Sequence, residues 1–373
     1  MRPQDALAAI SAVRVLGFSL TMPFVGLALH EAYGVPLSSV SLYYVAVAAG
    51  GALGQLAGGA ASDRAGRVRV MLASALSAAV LLGLVAMLNS PVYIEALTAL
   101  QSVASGSFAA SSSALIGDYF ADHADLVRAY GRVRVGSNLG WAVGVAVGGL
   151  LYQLLGLRSL FAFTSLTQAS TIPMILGLPT VVPRGPARPL ERPSRPLLLY
   201  LVPTSLTFII AGLMGYPLVQ YLSGYEGLST SLAGSLLAVN GALVVVLQDP
   251  IARAAARLRA STALSAGMAI YALGYGLLPL ASSYPLAAAD VVLITLGEMV
   301  VMPVSSAVAA RLSSPSSRGS HMGVYGLVSS VARSASSSIF AALLTVMSPR
   351  DAWAVEAGIA LTSSVGYFVL VAG

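Results

Sequence analysis

Apolar runs of 18 or more residues recur along the whole of this chain, each long enough to cross a hydrocarbon layer of roughly 30 Å at about 1.5 Å rise per residue. Of its 373 residues, 57% are hydrophobic and only 9% charged, whereas an ordinary soluble domain carries about 25% charge. A water-exposed surface cannot be assembled from so little charge. In lipid, each spanning segment must satisfy its own backbone polar groups, which leaves helices and closed barrels. The alternating segments of about ten residues that a barrel needs are not found. The expectation is an all-α membrane protein with about 12 transmembrane helices.

Turn residues and charges break the chain into spans near 6–29, 38–61, 70–88, 93–117, 132–154 and 159–178, then 197–222, 230–249, 262–281, 286–310, 321–346 and 352–372. The first run contains Arg14 and exceeds a signal-peptide core, so it is expected to be a retained helix. Between the two sets lies Pro179 to Pro196, PTVVPRGPARPLERPSRP. Its prolines fix φ and remove donors, so it reads as a semi-rigid linker. The expected organisation is therefore a six-helix bundle over 1–178, a linker over 179–196 and a second six-helix bundle over 197–373.

No lysine occurs, so all 20 basic residues are arginines, and the formal net charge is +6. Arginine gathers in alternate breaks: Arg64, Arg67 and Arg69; Arg128, Arg132 and Arg134; Arg184, Arg188, Arg192 and Arg195; Arg253, Arg257 and Arg259; Arg311 and Arg318. The opposite breaks hold Arg158 and Arg350. The positive-inside rule then places both termini and the linker in the cytoplasm, with the chain in the plasma membrane. A nucleic-acid surface would instead need the basic residues along one solvated face, so no nucleic-acid partner is expected. With no cysteine, thiolate metal sites and cysteine nucleophiles are excluded. His30, His123 and His321 all fall at expected loops, and neither H-E-x-x-H nor G-x-S-x-G occurs. No enzyme, cofactor or ATP site is implied.

The break between the second and third spans reads GGAASDRAGRVRVM over 58–71. Topology alone needs its arginines but not Gly59, Asp63 and Gly66. A glycine without a Cβ lets a neighbouring helix approach, a second glycine supplies a turn, and an aspartate can face a helix N-terminus. Arg67 has a candidate partner in Asp118, at the end of the fourth span. The pattern Gly59-x-x-x-Asp63-Arg64-x-Gly66-Arg67-x-Arg69, in this place, resembles the loop signature of the major facilitator superfamily. That resemblance implies two pseudo-symmetric six-helix bundles related by an axis along the membrane normal. It also implies that the helix facing Asp63 is the eleventh, which starts near Ser320, so that the loop forms a cytoplasmic gate. The echo in the second half is degenerate: aligning Arg257-x-Arg259 with Arg67-x-Arg69 puts Arg253 at the aspartate and Asp249 at the first glycine.

In the fifth span Gly136, Gly140, Gly144 and Gly148 recur at spacing four and share a face, with Gly149 beside them. Close packing of small residues in lipid explains such a stripe. Gly140, Gly144, Gly148 and Gly149 also resemble the antiporter-branch motif, with Val145 where that motif has proline. Arg14-x-x-Gly17 with Pro23, Leu296-Gly297-Glu298-Met299 with Pro303, and Pro315-x-x-Arg318-Gly319 followed by Met322-Gly323 and Tyr325-Gly326 are similar to the drug/proton antiporter-like branch.

Glu298, Arg333 and Glu356 fall within spans and Arg14 within the first, where a charge costs about 2.5–3.5 kcal/mol at bilayer centre. Each needs a partner or a cavity. Gly326, Ser330, Arg333 and Ser337 make a small, polar stripe. The resemblance implies that the first, fourth, seventh and tenth helices line the central cavity, which favours Glu298 as the proton-coupling carboxylate with Arg333 or Arg14 modulating it. Asn138 and Asn240 are candidate substrate contacts, with helix-to-helix bonding as the alternative. Tyr43, Tyr44, Tyr216 and Tyr221 read as interface anchors. The expected function is alternating-access secondary transport by a monomer, as proton-coupled efflux of small lipophilic compounds. Exchange of an organic anion held by the membrane arginines is the alternative, and a non-transporting sensor a minor one.

Overall fold

The computed structural model describes residues 2–88, 90–181 and 191–370, with the side chain of Thr230 left aside. Half of the expected linker, 182–190, therefore falls outside the described residues, Arg184 and Arg188 included. Every regular element among the described residues is helical: α1 (Pro3–Glu31), α2 (Leu37–Ala65), α3 (Arg67–Leu88), α4 (Pro91–Tyr119), α5 (His123–Leu176), α6 (Arg195–Gly212), α7 (Tyr216–Gly224), α8 (Thr230–Ala255), α9 (Ala260–Leu277), α10 (Tyr284–Leu312), α11 (Arg318–Leu344) and α12 (Pro349–Leu370), with one 3₁₀ turn at Leu278–Leu280. Ten of these helices are long and apolar enough to cross a membrane.

Three boundaries differ from the sequence reading, each for a local reason. The fifth and sixth spans form the two limbs of α5, which breaks at Gly156 with φ 72° and ψ 174°. A residue without Cβ adopts that backbone and reverses the chain without a loop. α5 also starts at His123 and not near 132, because Asp122 Oδ2 accepts from the Ala124 amide at 2.8 Å and caps the helix. Charged Asp125, Arg128, Arg132 and Arg134 end the apolar run without ending the helix. The seventh span divides into α6 and α7 across Leu213–Gly215, ahead of Pro217 in the first turn of α7. A proline there would clash with the carbonyl four residues earlier if the helix continued.

The described chain forms two compact units. The first comprises Met1–Ala121, Arg132–Arg192 and Ser313–Leu327; the second comprises Asp122–Gly131, Pro193–Leu312 and Val328–Gly373. The start of α11 thus belongs to the first unit although it comes from the second half of the sequence.

In the first unit, Val25, Leu29, Tyr43, Leu82, Val85, Ile94, Leu160 and Phe161 make one buried apolar cluster, while Leu42, Val45 and Leu53 on α2 stay exposed. Exposed apolar residues of this size are stable where the surroundings are lipid. Tyr43 lies within this cluster and its hydroxyl accepts from Thr98 Oγ1 at 3.2 Å, so it is a core residue and not an interface anchor. The second unit is tied by side chains on facing helices. Tyr200 on α6 donates to the Ser305 carbonyl on α10 at 2.9 Å, and Ser265 and Ser364 exchange hydroxyl-to-carbonyl bonds of 2.7 and 2.8 Å between α9 and α12. Tyr221 is also buried, bonding Glu226 Oε1.

Candidate functional site

At the end of α2, Gly59 faces the first turn of α11. A Cβ at Gly59 would overlap the Gly319 carbonyl oxygen, and one at Gly319 would overlap the Gly59 carbonyl oxygen. Glycine at both positions is what permits the approach. One turn further on, the Asp63 carboxylate, 4% exposed, accepts from the amides of Gly319 and Ser320 at 2.8 Å each and from Ser320 Oγ at 2.6 Å. Those amides are first-turn donors with no acceptor in their own helix, and the helix dipole there favours an anion.

Gly66 ends α2 with φ 95° and turns the chain so that Arg67 opens α3 pointing back. Its Nη1 donates to Asp63 Oδ1 and to Ser62 Oγ at 2.9 Å, and its Nε to Asp118 Oδ2 at 2.9 Å. Asp118 Oδ1 in turn accepts from Arg318 Nη1 at 2.6 Å, which also donates to the Gly117 carbonyl at 2.8 Å. Two aspartates and two arginines from α2, α3, α4 and α11 thus make one network, largely shielded from solvent. In such buried ion pairs the cost of desolvation offsets much of the attraction, while removal of one partner is strongly destabilising. Arg64 and Arg69 are exposed and stand outside it. His321, expected in a loop, lies buried in the first turn of α11, with Nε2 3.2 Å from the Glu191 carbonyl oxygen. Ser317 Oγ donates to Glu191 Oε2 at 2.6 Å.

The first unit also encloses a cavity of about 310 Å³, lined among others by Arg14, Gln101, Ser105, Phe108, Ser112 and Gln168. Arg14 is 8% exposed, and its guanidinium carbon stands 3.7 Å above the Phe108 ring centroid. Arg14 Nη1 and Gln168 Oε1 have no hydrogen-bond partner, and the lining includes no acidic residue among those described. The wall therefore offers a buried cation, amides and hydroxyls. Asn138, expected beside substrate, is not in this lining; its Nδ2 donates to the Arg134 carbonyl of its own helix at 3.0 Å.

The glycine stripe of α5 packs on α1. A Cβ at Gly136, Gly140, Gly144 or Gly148 would overlap α1 atoms, namely the carbonyls of Ala8 and Ala12, Ser19 Oγ and the Leu20 carbonyl. Gly149 differs: a Cβ there meets only Phe24 at an ordinary 3.7 Å, so it is not part of the close packing.

In the second unit Asn240 Nδ2 donates to Glu298 Oε2 and to Thr295 Oγ1, both at 2.9 Å, joining α8 to α10. Glu298 is 8% exposed. Arg333 is exposed; it donates to the Ala211 carbonyl at 3.2 Å, and its guanidinium carbon lies 5.4 Å from the Phe208 ring centroid.

Sequence reasoning named Arg318 only for topology and motif, and missed its bond to Asp118. It also missed Phe108, Gln101 and Gln168. Phe108 carried one usable signal, being the lone aromatic in the small-residue run Val103–Ala114.

The family model described as Major Facilitator Superfamily matches residues 7–248 and 201–372. An MFS-type transporter of Bacillus subtilis strain 168, YttB, described as uncharacterized, is 25% identical over 331 residues, 83% of this chain and 80% of its own length. The human organic anion transporter MFSD10 (TETRAN) shares the fold with TM-score 0.82 at 19% identity, over 98% of this chain and 99% of its own. A bacterial homologue of the iron transporter ferroportin, in an outward-facing state, does so with TM-score 0.84 at 14% identity over the whole of both chains. At those identities the two structures speak for the fold alone. With family matches spanning nearly its full length and a wholly helical fold shared with these carriers, the chain is a multi-pass membrane transporter of the Major Facilitator Superfamily.

Proposed function

We propose that this protein is a secondary carrier of small organic anions, which bind in the cavity around Arg14 and cross by alternating access. The observation that carries the reading is a guanidinium more than nine-tenths buried, with an unused Nη1, in a cavity with no described acidic residue. A carboxylate or sulfonate would supply the missing acceptor, and guanidinium binds such groups through two parallel hydrogen bonds. Gln101, Ser105 and Gln168 add neutral partners. The volume lies at the small end of ligand sites, about 300–1,000 Å³. The Asp63–Arg67–Asp118–Arg318 network serves as the gate. The arginine distribution supports placing it on the cytoplasmic side of the plasma membrane, with both termini on that side.

Proton-coupled efflux of lipophilic compounds is the second reading, favoured by the buried Glu298 carboxylate and its bond from Asn240. Thermal unfolding of the purified protein with aromatic and aliphatic carboxylates, against lipophilic cations of similar size, separates the two. Organic anions are expected to stabilise the protein, by about 2.7 kcal/mol at a hundredfold excess over Kd. Arg14→Gln should weaken that binding roughly 10- to 150-fold, the worth of a charge-assisted hydrogen bond. Stabilisation by cations alone, or anion stabilisation unchanged in Arg14→Gln, overturns the anion reading.

A further inference from the structure

The second unit contains a closed cluster that neither the gate nor the anion cavity uses. Glu356 on α12 is fully buried, and neither carboxyl oxygen has a hydrogen-bond partner. Trp353, one turn earlier and so on the same face, is also fully buried with its Nε1 unpaired. Its ring stacks on Tyr275 of α9 at 5.4 Å between centroids, and Phe340 of α11 covers it at 4.5 Å. Tyr221 of α7 meets it edge-on at 5.5 Å. The Tyr275 hydroxyl is buried and unpaired as well.

An isolated ionised carboxylate without donors is among the costliest groups to bury, so in this packing Glu356 is the neutral acid. Yet two donors near it stand unused: the indole N–H of Trp353, one turn away on the same helix, and the phenol of Tyr275, within electrostatic reach of Glu356. Movement of either group toward the acid would supply bonds that the anion lacks. We propose that Glu356 is a proton-binding site of the second unit: the carboxylic O–H bond breaks when the pocket admits water, the proton leaves as hydronium, and the carboxylate then accepts from Trp353 and Tyr275. The occupant is a proton and not a metal cation, since hard cations take six or more oxygen ligands and the closed ring cluster offers one carboxyl and a phenol. Among the titratable and charged groups facing this cluster, α9 supplies Tyr275 and Tyr271, stacked at 6.0 Å; Glu298 from α10 and Arg333 from α11 lie within electrostatic reach of the Tyr275 hydroxyl, and Arg350 of α12 within that of Tyr221. From α6 and α7 the facing groups are Tyr200, which reaches Tyr367 of α12, and Tyr221 with its partner Glu226.

The site adds proton coupling to the carrier reading, and its test needs no transport, so the two fail separately. Infrared difference spectra of the purified protein should show the carbonyl stretch of a protonated buried acid near neutral pH. Glu356→Gln should remove it, and Glu298→Gln should leave it. Because the chain has two tryptophans, Trp141→Phe leaves Trp353 as the sole indole. Its emission should titrate with pH and become pH-independent in Glu356→Gln. A band and titration unchanged by Glu356→Gln, or a band lost only in Glu298→Gln, overturns the proposal. If Glu356→Gln does not survive purification, Tyr275→Phe keeps the acid and removes a donor to its anion, so the Trp353 midpoint should rise; an unmoved midpoint likewise overturns it.

Discussion

Asp63→Asn is the sharpest perturbation of the Asp63–Arg67–Asp118–Arg318 network, the proposed gate. The substitution keeps the shape of the side chain and removes its charge. Asp63 now accepts from two backbone amides, one hydroxyl and Arg67; the amide can accept only on its oxygen, and its NH₂ must face donors. Arg67 keeps Asp118 and Ser62, so the loss falls on the α2–α11 contact. Breaking one partner of a buried ion pair costs about 3–5 kcal/mol, which at about 1.4 kcal/mol per tenfold is a factor of roughly 10² to 4 × 10³ in the closed-to-open ratio. Since the chain has no cysteine, one introduced thiol can report opening. Ser111 suits the purpose: it is fully buried, its hydroxyl bonds only the Ser107 carbonyl of its own helix, and it lies two turns from Asp118 on the same face. Maleimide labelling of Ser111→Cys from the gate side should accelerate by at least tenfold in the Asp63→Asn background. Equal labelling rates in protein that unfolds at the same temperature would refute the gate.

Two further outcomes follow from packing. Gly140→Ala should lower stability by about 1–3 kcal/mol, the cost of overpacking, because its Cβ meets the Ala12 carbonyl. Gly149→Ala, with room for a methyl, should change it by less than about 0.5 kcal/mol; thermal unfolding in detergent compares the pair, and equal losses would discount the helix contact. Phe108→Leu removes the ring beneath Arg14 while keeping bulk, so it should weaken anion binding by about 2- to 30-fold, matching a cation–π contribution of about 0.5–2 kcal/mol. Ligand titrations followed by intrinsic fluorescence give that ratio.

Class and local chemistry were legible in one dimension because they depend on local quantities. Run length against bilayer thickness sets helices and spans, and Gly59, Asp63 and Gly66 each need a specific backbone or charge environment that side-chain type alone reveals. The pairing of Arg67 with Asp118 was legible for the same reason, since a charge at a helix end in lipid has few partners. Boundaries were less so. His123 begins α5 because of one capping bond from Asp122, and Gly156 reverses it through its φ, neither of which alters the apolar pattern.

Sequence by itself determined that the chain is helical, that it crosses a membrane many times, and which turn carries its charged signature. Tertiary structure alone decided that Arg14 sits over Phe108 in a cavity while Asn138 serves its own helix, that Arg318 completes the network at Asp118, and that Glu356 is fully buried without a hydrogen-bond partner. Those outcomes depend on which helix faces meet across long sequence separations. Where nearly every position is small or apolar, periodicity marks a face but not the neighbour that it meets.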